Sequence, residues 1–327
     1  TGKNAEAMQY LEKASAVAPE KPASWLSLAR IWTNLGQEDK AMQALRKAKA
    51  ALPDDPEILS ALGALYLAND QPTEAISVLR QAFQLDPSSS NIRKSLAQAY
   101  LNLGYVDEAW TTIAPLENDY TSDPELASVL GQTLAAMGDL NGAKPVLRFA
   151  WQSNRSDSTL KSYAELLIRS FGHGIKPGAQ ELKEMSQLLS IMEERQQERD
   201  GLFDMRLLQA DLKATLGMQE AAYQDYPLLL DYPEARAPRS YHHLQFQTGQ
   251  TALALGLTDI SLASLQEAVL TDPDDLPTRH ALAKAFMAAN LEDEGFSTAR
   301  SAMQIAPTEI ENVLWYSDFM SEHNNAR

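Results

Sequence analysis

The 327-residue sequence predicts an all-α solenoid of stacked helical hairpins. Three observations carry that prediction. Ala7, Ala41, Ala75, Ala109 and Ala143 recur every 34 residues without slippage. A second series, Leu28, Leu62, Leu96 and Leu130, keeps the same period out of phase with the first. Glycine and proline fall between the two series, so each period reads as two helices and two turns.

Each alanine of the first series is followed four residues later by Leu11, Leu45, Leu79, Ile113 or Leu147. Three residues further on stand Ala14, Ala48, Ala82, Leu116 and Ala150. Spacings of four and three set each trio on one helical face. Each leucine of the second series precedes a small residue (Ala29, Gly63, Ala97, Gly131), and three residues later come Trp32, Tyr66, Tyr100 and Leu134. This is a second amphipathic helix. Its small residue lets the neighbouring helix approach, and the larger residue fills the gap beyond.

The turn between the two helices holds Gly2, Gly36, Gly104 and Gly138, with Asp70 in the same place. A helix end entering the left-handed region needs such residues. Between periods lie Pro19, Pro53 and Pro87, often beside acids, as in Pro53-Asp54-Asp55-Pro56. Proline stops one helix or opens the next, and aspartate favours the new N-terminus. Unit 90–123 has Thr121 where the closing proline belongs, and unit 124–157 lacks that proline too, so both junctions are expected to pack differently.

The signal returns in unit 242–275 with Gly256, Leu265, Ala268 and Pro273. Unit 276–309 has Leu282, Ala283, Phe286, Ala302 and Pro307. From Arg155 to Pro273 the chain is long enough for three hairpins with insertions. Tyr163–Phe171 reads as a first helix and Leu182, Met185, Leu189 and Met192 as a long second one. Leu202, Met205, Leu208 and Leu212 then give a first helix, and Tyr223, Tyr226 and Leu230 its partner. The extra length is expected in Gly172–Gly178 and Asp231–Arg239, and a last helix at about Ile310–Glu322.

Unit 22–55 carries Trp25, Leu28, Ala29, Trp32, Gly36, Ala41, Leu45, Ala48 and Pro53. This pattern closely resembles the tetratricopeptide repeat family. The resemblance implies a right-handed superhelix of helix-turn-helix repeats. It also implies a concave wall, lined by the first (A) helix of each repeat, that binds an extended or helical peptide. The expected organisation is regular repeats over 1–157, the first reduced to its second (B) helix, and divergent hairpins with insertions over 158–241. Regular repeats follow over 242–309, then a C-terminal helix and tail over 310–327. Thr1-Gly2 reads as the turn of a repeat whose first helix lies upstream in a longer parent chain.

Carrying over the family's groove positions, the wall presents Arg30, Thr33 and Asn34; Ala64, Leu67 and Ala68; Lys94, Gln98, Leu101 and Asn102; and Ser128, Gln132 and Ala135. Lys161 leads the next repeat. Arg30, Lys94 and Lys161 are expected to meet ligand carboxylates, and Asn34, Gln98, Asn102 and Gln132 to hydrogen-bond a peptide backbone. Lys94 also matches a lysine with which some family members grip acidic chaperone tails, but Val129 stands where that clamp needs asparagine, so the clamp is not expected.

Composition bounds the rest. With no cysteine, disulfides, thiolate catalysis and cysteine-ligated metals are excluded. A net charge of −16 argues against nucleic acid as a partner. Residues 1–157 hold 14 basic and 19 acidic groups, and residues 158–327 hold 14 and 25, so the imbalance is steeper in the second half. No stretch has the roughly 20 apolar residues of a membrane span. The cytoplasm is the expected compartment, with the periplasm left open.

Local motifs add no chemistry. Tyr241-His242-His243 puts adjacent histidines on different sides of a helix, a poor metal site. His173 and His280 are isolated. Phe171–Gly178 lacks the spacing of a phosphate loop. Asp54-Asp55 and Asp272–Asp275 read as helix caps rather than calcium loops. Glu193–Asp200 reads as a solvated helix end. No cofactor and no catalytic residue is expected. The leading reading is a protein-interaction scaffold or adaptor. The alternatives are the regulatory or substrate-recruiting region of an enzyme catalysing elsewhere, and a solenoid that self-assembles through its terminal helices.

Overall fold

The computed structural model describes residues 10, 11, 13, 14, 17–171, 176–198 and 203–324. Seventeen α-helices and two 3-10 helices, with no strand, make up the regular structure of these residues. The chain divides into two compact units, Thr1–Leu166 and Leu167–Arg327.

Unit 1 is a stack of hairpins: α1 (Pro22–Asn34) with α2 (Glu38–Ala51), α3 (Pro56–Ala68) with α4 (Pro72–Leu85), α5 (Ser90–Asn102) with α6 (Val106–Ile113), and α7 (Pro124–Ala136) with α8 (Leu140–Ser153). The helix α9 (Asp157–Ser170) follows, and the unit boundary falls within it. In unit 2, α10 (Ala179–Glu198) precedes α11 (Phe203–Thr215) with α12 (Gln219–Leu229), α13 (Pro238–Ala254) with α14 (Thr258–Thr271), α15 (Leu276–Ala288) with α16 (Glu292–Ile305), and the closing α17 (Ile310–Asn324).

One packing rule builds these hairpins. In three of them a glycine of the A helix faces a leucine of the B helix sixteen positions on. A Cβ placed on Gly63 would lie 2.4 Å from Leu79, one on Gly131 2.5 Å from Leu147, and one on Gly249 2.5 Å from Leu265. These leucines are fully buried, and each contributes about 1.5–3 kcal/mol. Because the leucine fills the seat left by a missing side chain, the two helix backbones come close. Residues of one core cluster run from Ala29 on α1 to Ala99 on α5, so neighbouring hairpins share their apolar faces.

Helix ends follow from the turn chemistry. Gly36, Gly104, Gly138, Gly217 and Gly256 have positive φ, as do Asp70 (54°) and Asn290 (59°). The amide after each of them closes back on the last turn of the A helix, as Gln37 does on Trp32 (2.9 Å), Gln71 on Tyr66 (2.8 Å) and Leu291 on Phe286 (2.9 Å). Asp55, Asp123 and Asp275 cap the following A helices, accepting from the amides of Ile58, Leu126 and Thr278. At the fourth A-helix position Trp25, Arg93 and Arg279 each donate to the carbonyl of the proline six residues back. That bond ties the inter-repeat turn to the next helix.

The structure departs from the simple register in two places. Helix α6 stops at Ile113 and Ala114–Ser122 continues as a 3-10 helix, because Pro115 has no amide to carry the α-ladder on. At unit 124–157 no such change occurs; α8 runs to Ser153. Asp231–Arg239 is not an open loop: Pro233–Arg236 forms a 3-10 turn with Ala235 buried, and Pro238 opens α13 four residues before position 242. Leu202 and most of Gly172–Gly178 lie outside the described residues.

Two substitutions test the packing rule and the turn chemistry. Gly63→Val should lower the urea or thermal midpoint, at a cost of about 1–3 kcal/mol, because Leu79 already fills the space. Asp70→Gly should raise stability by about 1 kcal/mol by relieving its left-handed backbone.

Candidate binding groove

In unit 1 consecutive A helices touch one another, α1 to α3, α3 to α5 and α5 to α7. Their outward turns form one continuous wall, and its chemistry follows from the residues that occupy equivalent positions of the 34-residue period.

Arg30 and Asn34 are exposed on α1. On α5 and α7 the amides form a chain. Gln98 Nε2 donates to Asn102 Oδ1 (2.9 Å) and to Gln132 Oε1 (3.4 Å), and Gln132 Nε2 donates to Ser128 Oγ (3.0 Å). Gln98 and Gln132 occupy the same position of successive repeats, so the repeat itself brings them together. Helix α3 lies between α1 and α5, so Arg30 and Asn34 stand two helices from Gln98. Lys161 is half-buried on α9, with its Nζ 4.0 Å from Glu165.

Lys94 is engaged within the protein. Its Nζ donates to Asp123 (2.7 Å) and Glu125 (3.0 Å), and its side chain is only 9% exposed. Burial opposes the charged ammonium, but the bonds and charges of Asp123 and Glu125 outweigh it and hold the Lys94 pKa above its ordinary value. Burial likewise opposes ionisation of Asp123, and the Lys94 bond overcomes it, so the pKa falls. Asp123 caps α7 and receives Lys94 from α5, which makes the triad a strut between two repeats.

Between α3, α5 and the start of α7 the wall opens into a cleft of ≈ 540 Å³. It exists because α3 presents Ser60, Ala61 and Ala64, too small to fill the space opposite α5. Glu57, Asp86 and Glu125 reach this cleft. Sequence reading passed over these acids. Glu57, Asn91 and Glu125 are the same position of three successive repeats, and that register was the signal.

Unit 2 holds a separate polar cluster. Asp211 on α11 accepts from Tyr226 Oη (2.9 Å) on α12 and faces His243 Nε2 (3.0 Å) on α13. Nearby, Lys213 donates to Asp225 (2.7 Å) and lies 3.6 Å from Glu193. Adjacent His242 turns the other way, to Thr278 (3.1 Å) on α15. Each histidine joins helices of neighbouring hairpins. His280 bonds the buried Asn312 (2.8 Å) and stacks on Trp315 at 3.7 Å, holding α17. Among the described residues no group of three or more acids and histidines is placed to hold a metal ion. No helix among them is long and apolar enough to cross a membrane.

Burial lowers the His243 pKa, but the hydrogen bond and charge of Asp211 more than reverse this. A histidine with a raised folded pKa lends stability that is complete below its unfolded value, about 6.5, and lost as pH rises through the folded value. The difference in melting temperature between the wild type and His243→Gln should therefore be larger at pH 6 than at pH 8.5.

Residues 1–65 and 66–133 match the family model of the tetratricopeptide repeat. No curated protein matches the sequence. Among solved structures, the human IFIT1 dimer with PPP-AAAA is 14% identical, over 92% of this chain and 79% of that one, with a TM-score of 0.55. The human IFIT1 dimer with m7Gppp-AAAA gives 16%, 92%, 78% and 0.55. A tetratricopeptide repeat protein from Parabacteroides merdae gives 15%, 81%, 98% and 0.44. At these identities the likeness to the human protein is one of fold.

Proposed function

We propose that this chain, whose residues 1–133 match the tetratricopeptide repeat model, is an interaction scaffold whose unit 1 wall binds a segment of another protein. Such repeats generally mediate protein–protein interaction. The observation that carries the reading here is the amide chain Asn102–Gln98–Gln132 beside an open cleft. Carboxamides both donate and accept, so they suit the backbone of a bound peptide. A cleft of this size falls within the roughly 300–1,000 Å³ of ligand pockets. Arg30, Asn34 and Lys161 extend the wall toward its two ends and belong to the same proposed surface.

Protein is favoured over nucleic acid by charge. The human neighbours were solved with PPP-AAAA and m7Gppp-AAAA, whereas this chain carries −16 and its cleft is rimmed by acids. A polyanion would be repelled. Self-assembly is the second reading, favoured by Ile310, Val313 and Leu314 exposed on one side of α17.

The test is affinity capture from source lysate with the full chain and with Gln98→Ala/Gln132→Ala, read by mass spectrometry. The scaffold reading expects a partner retained by the wild type and depleted about tenfold or more on the variant, the value of one or two lost hydrogen bonds. Equal retention on both would move recognition off this wall. Capture of the chain's own copies alone, with a mass that rises with concentration, would favour self-assembly.

A further inference from the structure

The scaffold reading does not say what chemistry the wall selects. The cleft between α3 and α5 bears on that. Sequence reading gave Lys94 the task of meeting a ligand carboxylate, but its ammonium is bound by Asp123 and Glu125 and its side chain is 9% exposed. The one basic group lining the cleft is thus neutralised by the protein itself.

The acids are in the opposite position. Glu125 keeps 76% of its side chain exposed while touching Lys94. Glu57 is exposed at the rim, on the first turn of α3. Asp86 approaches from the turn after α4, where the Ser88 hydroxyl and amide bond its carboxylate and lower its pKa, so it stays ionised. Lys94 is paired with Asp123 and Glu125, while Glu57 and Asp86 line the same cleft with no second basic residue beside them. Ser60, Ala61, Ala64 and Ser95 also line the cleft, small side chains that leave it open. A long side chain ending in a positive charge fits both the volume and the charge of this cleft. Its methylenes would run over Ala61 and Ala64, and its head would reach Glu57, Asp86 and Glu125.

We propose that this cleft is a specificity pocket for a lysine or arginine side chain of the bound segment. The proposal rests on the groove reading above and adds the residue class that the groove selects. The amide chain at Gln98 and Gln132 would hold the adjacent backbone. Glu57 and Glu125 flank the cationic head from equivalent positions of two repeats.

The experiment is selection of random twelve-residue peptides displayed against the full chain, in wild type, in Glu57→Gln/Glu125→Gln, and in Asp293→Asn/Glu294→Gln. The last pair removes two charges from exposed positions on α16, so it controls for general attraction of basic peptides to an acidic protein. The proposal expects wild type and the α16 control to enrich peptides with lysine or arginine at one fixed position. The cleft variant should lose that enrichment. A synthetic copy of an enriched peptide should bind the cleft variant about tenfold or more weakly, and replacing its selected lysine by norleucine should weaken wild-type binding alike. Circular dichroism on the variants checks that the fold is kept.

Two results would overturn the proposal in distinguishable ways. If enriched peptides carry acidic or apolar residues instead, or the same cationic position survives in the cleft variant, the pocket assignment fails while the groove reading stands. If no peptide is enriched on the wild type, the groove reading falls together with the pocket.

Discussion

Three hairpins of this molecule are built on one steric relation: a leucine of the B helix occupies the space that a glycine leaves on its A helix. Gly63 with Leu79, Gly131 with Leu147 and Gly249 with Leu265 show it at its tightest. The approach draws the hairpin closed, the closed hairpin exposes one apolar face, and the next hairpin covers it. Because the hairpins of unit 1 repeat every 34 residues, side chains at equivalent positions of successive A helices line up. That alignment makes a wall of Gln98 beside Gln132 and of Glu57 and Glu125 on either side of Asn91. The groove is a consequence of the core.

The wall's charge arrangement is not what a count of basic residues suggests. Lys94 spends its charge on a strut between α5 and α7, and this changes the sign of what the cleft presents. A lysine so held is part of the scaffold. The acids around it keep exposed oxygen atoms, so the local field is negative in a region whose sequence pattern places a lysine at its centre. The amides beside it are neutral and two-sided. A wall built this way separates the two tasks of peptide recognition, holding the backbone at one place and reading a side chain at another.

Much of this was legible in the sequence because the signals are local and periodic. The alanine–leucine–alanine trios gave the B helices, the glycines at 36, 104 and 138 gave the left-handed turns, and Asp55 and Asp275 were readable as caps. Gln98, Asn102 and Gln132 came from the groove positions of the family that the sequence resembles, and the structure shows them hydrogen-bonded to one another. What escaped depends on contacts between residues about thirty positions apart with no pattern to announce them. The capture of Lys94 by Asp123 and the facing of His243 and Asp211 are of this kind. The 3-10 stretch after Ile113 falls in unit 90–123, where Thr121 in place of the closing proline marked a junction expected to pack differently. The 3-10 turn at Pro233–Arg236 was hidden because proline and glycine mark a break without stating the geometry that follows.

The central claim is that the wall of A helices in unit 1 is the working surface. Methyl NMR of the full chain, labelled at alanine and leucine and titrated with a peptide that it binds, tests this most directly. The account predicts that the methyls of Ala61, Ala64, Leu67 and Leu101 shift with saturation, while those of Ala44 and Leu85 on the B helices stay in place. Shifts confined to the B-helix methyls, with Ala61 and Ala64 unmoved, would contradict it.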